Sequence, residues 1–461
     1  MTRAVSSRIR LLLLAWVLLS LCETVTATNY YINSRAGNDD DSGTTDGAPW
    51  KSLKCLENHS FAPGDNILFA RGSSYTGGVA FNSTGTKEQP ITISHYSAGA
   101  DVVQSTDRAK LADLFVKFGA GPAPAFTNPD WGTLNGNILQ LNGSHVIIDG
   151  LYFHDNTNPP ESDHKNKNVQ KMGALYLASG THDCVVRNCE FFHTPVGIKV
   201  KGTHNLIERN YLHDAAEPLA KSWGPIAIMV VSPDNEIAWN RICNYGSYGG
   251  PYGSDGGVVE LDGVDDLFNG KDISIHHNTS INNHGFVELA GRNVQRVTIF
   301  YNLSDDRNQF LGGGSMSDVT VRNNTIIRTR EPNVDRYVFW TFNPDATSVT
   351  VENNIFVLAK DLKVFGPVAK QVGHHRVPIG VQPHGHNVYF AGEEPDLIGI
   401  QPGAGDVIAD PQFIDLANGN FRLRKGSPAI DRVADQTTET VDLDGRAVPH
   451  GQSADAGAFE F

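Results

Sequence analysis

The sequence predicts an all-β solenoid, and three observations carry that expectation. Asparagines recur at Asn188, Asn210, Asn240, Asn278, Asn302, Asn324 and Asn354, separated by 22, 30, 38, 24, 22 and 30 residues. Each closes a short run of period two, rich in β-branched residues, such as Leu206-Ile-Glu-Arg, Ile273-Ser-Ile-His, Val297-Thr-Ile-Phe and Val349-Thr-Val-Glu. These runs lack the 3.6-residue periodicity of a helix-pair repeat. Asparagine tolerates the left-handed backbone region and can bond its own turn, so one asparagine per bend can stack into a hydrogen-bonded ladder.

Taken in chain order, residues 1–27 read as a signal peptide. Arg3, Arg8 and Arg10 precede the apolar run Leu11 to Leu21, and Val25-Thr-Ala27 has the small-residue spacing of a cleavage site. Secretion, extracellular or periplasmic, follows as the expected location, and no other stretch is long and apolar enough to span a bilayer. Residues 28–136 are expected to hold an N-terminal cap, the first rungs and an insertion at 101–136. Residues 137–360 form the rungs and 361–461 a closing module, because the end rungs of a solenoid would otherwise expose core and strand edges.

Over roughly residues 60–360 these rungs resemble the single-stranded right-handed parallel β-helix of the pectin-lyase-like superfamily. The segments Tyr30 to Ser34, Gly47 to Leu53 and Pro63 to Phe69 resemble the amino-terminal start of secreted β-helix proteins. Asp410 to Phe413, Gly426 to Asp431 and Asp455 to Glu460 resemble their closing module. The resemblance implies a monomeric carbohydrate-active protein whose first sheet floors a substrate groove.

Aligning the rungs on the ladder puts Tyr176, Lys199, Met229, Glu260, Glu288 and Gly312 at the centre of successive first-sheet strands, as one outward column at the roughly 4.8 Å spacing of paired strands. Glu260 and Glu288 then become neighbours, with Asp262 on the same face. Like charges directly opposite destabilise a sheet, so such a cluster needs a cation, a proton or a substrate. Three long connections lead into this sheet, at 155–173, 215–225 and 244–257. They offer Trp223, Tyr245, Tyr248 and Tyr252 as stacking faces for sugar rings.

Two chemistries lead. Paired carboxylates hydrolyse glycosides, one of them kept protonated by its neighbour. Alternatively Glu260, Asp262 and Glu288 hold a Ca²⁺ ion, which acidifies the C5 proton of a uronate while a basic residue removes it. The second scheme resembles the alginate-lyase and chondroitinase-B type of polysaccharide lyase, with Glu260-Leu-Asp262 as its acidic pair and Arg292 as its arginine. Asp265 and Asp266 stand where that family places its lysine, which leaves Lys199 and Lys271 as substitutes.

His213 and His284 precede the rungs nearest Glu260 and Glu288 and are further candidates, as general base and substrate contact. His154 and His193 read as architecture, and Arg307 as a contact for an anionic sugar. The expectation ranks β-elimination of an acidic polysaccharide ahead of glycoside hydrolysis. C5 epimerisation and non-catalytic glycan binding remain open.

The net charge of −14 loses three arginines and one glutamate with the leader and becomes about −16. That disfavours a nucleic-acid partner. Cys55, Cys184, Cys189 and Cys243 admit buried thiols or disulfides, and spacing does not choose between them.

Overall fold

The computed structural model describes residues 26–97, 123–156, 172–215, 224–247, 255–262, 269–291, 294–314, 316–330, 337–343, 347–360, 362–366, 377–380, 382–391, 401–433 and 439–461. Nearly all of the expected leader lies outside them. The chain winds as a right-handed parallel β-helix. Each turn gives one strand to each of three sheets, so the ladders join residues one turn apart in sequence: Leu175–Leu177 pairs in parallel with Val196–Val200, and that strand with Ile226–Val230. The sheets hold ten, twelve and twelve strands among the described residues.

Alternation explains the core. In the turn from Val196 to Leu212, Ile198, Val200, Ile207 and Leu212 point inward and are fully buried. They belong to one apolar column that runs from Ile32 to Ala391. Parallel strands buried on their inner face need no helices when the coil itself supplies the opposite wall.

The ladder forms with two differences from the sequence reading. Asn210, Asn240, Asn278, Asn302, Asn324 and Asn354 are stacked, and from Asn240 onward each Oδ1 accepts from the backbone N–H and side-chain amide of the asparagine one turn earlier, at 2.9–3.0 Å. The column continues through Asn387 to Asp406. At its other end, however, Cys189 occupies the ladder position and donates its N–H to Asn210 Oδ1. Asn188 instead has φ +53° and stands one residue earlier.

The left-handed residue of each bend is therefore the one before the ladder asparagine: Arg209, Trp239, His277, Tyr301, Asn323 and Asn353. For bulky side chains that conformation costs roughly 1–2 kcal/mol each, which the ladder bonds offset. Asparagine is selected here for its buried amide rather than for its backbone tolerance. Two shorter ladders, Cys184–Asn205–Asn235 and Tyr245–Asn283–Asp306, run at other bends.

Aromatic residues cover the first rungs. Phe61 packs edge-on against Tyr30 and His59 and meets Phe81 of an early first-sheet strand at 5.6 Å. At the far end the hairpin Phe413–Asp415/Asn420–Leu423 and the tail Ala456, Ala458 and Phe459 pack on Leu303, Ile327, Ile355 and Val357. That contact lies along the outer face of the third sheet, so the module folds back over the side of the coil. Residues 125–127, expected inside an insertion, form a third-sheet strand between Ser74–Thr76 and Tyr152–His154. Three residues are too few for period two to be read. Part of the expected insertion, 101–122, lies outside the described residues.

All four described cysteines are free and buried. Burial pushes the Cys55 and Cys189 thiols up to about 12 and Cys184 up to about 11. Native protein is accordingly expected to leave a thiol reagent at neutral pH unreacted at these positions and to react fully in denaturant. A mobility shift between reduced and non-reduced gels would contradict this.

Candidate active site

The first sheet carries the site. Strand register pairs Tyr176 with Lys199, Lys199 with Met229, Met229 with Glu260, Glu260 with Glu288, Glu288 with Gly312 and Gly312 with Trp340. The outward column is thus the one read from the ladder, extended by one residue. Glu260 and Glu288 face each other across adjacent strands, and Asp262, whose N–H donates to Val230 O, follows Glu260 on the same face.

Exposure along the column is uneven. Lys199 is fully buried, Met229 2 % and Tyr176 6 % exposed, and at the other end Trp340 is 1 % exposed. Glu260 and Glu288 alone between them are part-exposed. On the Lys199 side the sheet's outer face is covered by an apolar cluster of Met172, Val196, Ile226, Met229 and Val231, with Trp131 against it. On the other side the Trp340 indole lies over Gly312, where a Cβ would come within 2.1 Å of the ring. Gly312→Ala is expected to displace Trp340 and lower stability by roughly 1–3 kcal/mol, as overpacking does. Denaturant unfolding together with tryptophan fluorescence checks it.

The charges respond to this enclosure. Burial, then the neighbouring Glu288, Asp262 and Asp255 carboxylates, push the Glu260 carboxyl well above its ordinary 4.5, with Lys199 opposing. Lys199 is brought down to about 8, chiefly by burial, against the pull of Asp262 and Glu260. Its Nζ donates to Met229 Sδ at 2.8 Å, and Met229 stands between it and Glu260 in the column.

Two residues of the site were not found from sequence. Asp255, which accepts from the Gly224 N–H at 3.1 Å, adds a further carboxylate acting on Glu260. Gln309 lines a depression with Glu260, Glu288, Gly256, Gly257 and Gly285, and its buried Oε1 has no hydrogen-bond partner. An unsatisfied buried acceptor costs about 1–3 kcal/mol unless a ligand donor meets it. Both residues stand in connections with no periodicity to mark them.

The other sequence candidates lie elsewhere. Tyr245 is a core residue, 1 % exposed, its hydroxyl bonded to Thr194 Oγ1 at 2.8 Å, so it offers no face to a sugar. His213 stands on the third sheet, with Nδ1 2.8 Å from Asp214 and Nε2 3.0 Å from Glu190. Lys271 opens a second-sheet strand beside Gln295. His284 is buried in the bend before Val287, its Nε2 3.3 Å from Asn308 Nδ2. Arg307 ends a surface ladder through Asn282, Asn244 and Asp214. Arg292, Trp223, Tyr248 and Tyr252 lie outside the described residues, as do Asp265 and Asp266.

A Ca²⁺ ion would find oxygen donors in Glu260, Asp262 and Glu288, which suits its chemistry. The buried Lys199 sets a positive charge against these carboxylates.

Comparison with known proteins supports the fold. A solved rhamnogalacturonan lyase aligns over 93 % of this chain and 96 % of its own, with TM-score 0.51 and 12 % identity. A pectate lyase aligns over 95 % and 97 %, with TM-score 0.49 and 13 % identity. A lacto-N-biosidase from Eubacterium ramulus aligns over 82 % and 66 %, with TM-score 0.39 and 15 % identity. The chain is a parallel β-helix. In sequence, a lacto-N-biosidase of Bifidobacterium longum subsp. longum is 36 % identical over 77 residues, which is 16 % of this chain and 5 % of that protein. The chain therefore matches about one-twentieth of that relative's length. No family model matches the sequence. No helix among the described residues is long and apolar enough to cross a membrane.

Proposed function

We propose that this protein is a secreted glycoside hydrolase, with Glu260 as proton donor and Glu288 as its carboxylate partner. The observation that carries the reading is the direct pairing of the two on adjacent strands, with Glu260 driven toward the protonated form by its neighbours. Two carboxyl groups whose environments push their titrations apart divide naturally into acid and nucleophile or base. Residues facing each other on adjacent strands stand about 4.8 Å apart at the backbone, which brings their carboxyl groups within the range that glycoside hydrolysis uses. The 77-residue match to a lacto-N-biosidase adds weight on the same side.

The substrate is a carbohydrate bound at its end. Only two rungs of the column are open, bounded by the Met229 cluster and by Trp340, a length of roughly 10 Å.

β-Elimination, ranked first from sequence, takes second place. Lys199 at about 8 is a competent base in titration, and that is the observation in its favour. Its full burial behind Met229 separates it from a substrate proton. Lys271 and His213 stand on other sheets.

The test is product chemistry on neutral and uronate-containing oligosaccharides, with and without chelator. Reducing ends without ultraviolet absorbance from unsaturated ends, in either condition, are expected. Absorbance rising in step with reducing ends, and lost in Lys199→Met, would establish the lyase instead.

A further inference from the structure

At the bend between the first and second sheets, His145, Asp183 and His204 occupy the same left-handed position on three successive rungs, with φ of +53°, +54° and +56°. The register that pairs Ile147 with Val185 and Val185 with Leu206 stacks them. His182 precedes Asp183 and brings a further imidazole. One nitrogen from each of His145 and His182 and one oxygen of Asp183 all lie within 4.8 Å of one another. His145 Nε2 is 3.9 Å, and His182 Nδ1 2.7 Å, from Asp183 Oδ2. On the following rungs the same position holds Asp234, Asp272, Arg296 and Asp318. Along this position the histidines fall on the first and third of these rungs.

We propose that His145, His182 and Asp183 bind a divalent transition-metal cation of the zinc type, with water completing the coordination. Ligand atoms about 2.0–2.2 Å from a tetrahedral Zn²⁺ sit roughly 3.3 Å apart. The 3.9 Å separation must close, and the 2.7 Å separation open, by about 0.6 Å each on that geometry. Side-chain rotation supplies that, since His182 and Asp183 are about half exposed.

The backbone beneath need not move. His145 N–H donates to His182 O, Asp183 N–H to Thr203 O, and His182 N–H to Ser144 Oγ, at 3.0–3.2 Å. Two imidazoles with one carboxylate suit zinc, nickel or copper, whereas calcium and magnesium prefer all-oxygen sets. The bound ion would tie one turn of the coil to the next. It would do so three rungs, roughly 14 Å, from the strand bearing Glu260.

Isothermal titration of the metal-stripped full chain with ZnCl₂ at neutral pH tests this, with CaCl₂ as the comparison. One saturable equivalent of zinc is expected, no calcium heat, and at least tenfold weaker zinc binding in His182→Ala and in Asp183→Asn. Because His182 is surface-exposed, its replacement should leave the metal-free melting temperature unchanged. Zinc should raise the melting temperature of the wild type and not that of either variant. No saturable zinc binding, or binding of unchanged affinity in both variants, overturns the proposal.

Discussion

Replacing Glu260 by Gln is expected to lower kcat/KM by about 10²–10⁴-fold, the usual contribution of a positioned acid, while leaving the fold at least as stable. The two effects come from one cause. Burial and the neighbouring carboxylates hold the Glu260 carboxyl well above 4.5, which favours its protonated, proton-donating form and makes its ionised form costly to the folded chain. The linkage has a definite sign. Folded protein holds this proton more tightly than unfolded protein, so wild-type stability declines as pH rises from about 4.5 toward the folded value. The amide of the Glu260→Gln variant has no such titration. Its melting temperature relative to wild type should therefore climb across that window, and thermal scans at several pH values read it. A variant that is inactive but also less stable at neutral pH would place Glu260 among structural residues.

The second large effect is expected at the ladder. Asn278 is fully buried, and its amide donates to Ile237 O, His276 O and Asn302 Oδ1 while its oxygen accepts from the Asn240 N–H and side chain. Asn278→Ala takes the acceptor from the buried Asn240 N–H, whereas Asn302 Oδ1 keeps the residue-278 N–H, His276 O keeps the Trp239 N–H and the Asn240 amide keeps Ile207 O. With one buried donor unsatisfied and a buried side chain truncated, the loss should be about 1–3 kcal/mol. Asn142→Ala removes an exposed bond to Asn82 and should cost well under about 1 kcal/mol. Denaturant unfolding of the two variants side by side gives the comparison, and equal losses would refute the ladder's energetic role.

The ladder was legible in the sequence because a solenoid repeats one constraint many times. Period-two runs fixed which residues face in, and the recurring asparagines fixed the register, so the column from Tyr176 to Gly312 could be read off and agrees with the strand pairing. The one-residue slip at Asn188 arose because asparagine suits both the left-handed position and the ladder position, and only the structure separates the two. Alternation says which face a residue takes but not which sheet it joins. His213 faces outward as its position before the first sheet suggests, yet it belongs to the third sheet.

Exposure was not legible at all. Met229 packs in an apolar cluster with Met172 and Trp131, which stand in connections without a pattern, and Lys199 is fully buried beside it while Glu260 and Glu288 stay part-exposed. Tyr245 shows the converse. It stands at the edge of a long loop, where an aromatic could meet a sugar, but the amide of Asn283 and the hydroxyl of Thr194 draw it into the core. Asp255 and Gln309 escaped notice for the same reason: a bend residue carries no periodicity.

The pairing of Glu260 with Glu288 is tested most directly by following the Glu260 carboxyl itself. Carbon-13 NMR of protein labelled at the glutamate carboxyl, with the Glu260 resonance assigned by its loss in Glu260→Gln, gives the titration in wild type and in Glu288→Gln. The account predicts a midpoint well above 4.5 in wild type that moves down when the neighbouring charge is removed. A Glu260 carboxyl that titrates near 4.5, or is indifferent to Glu288, would contradict it.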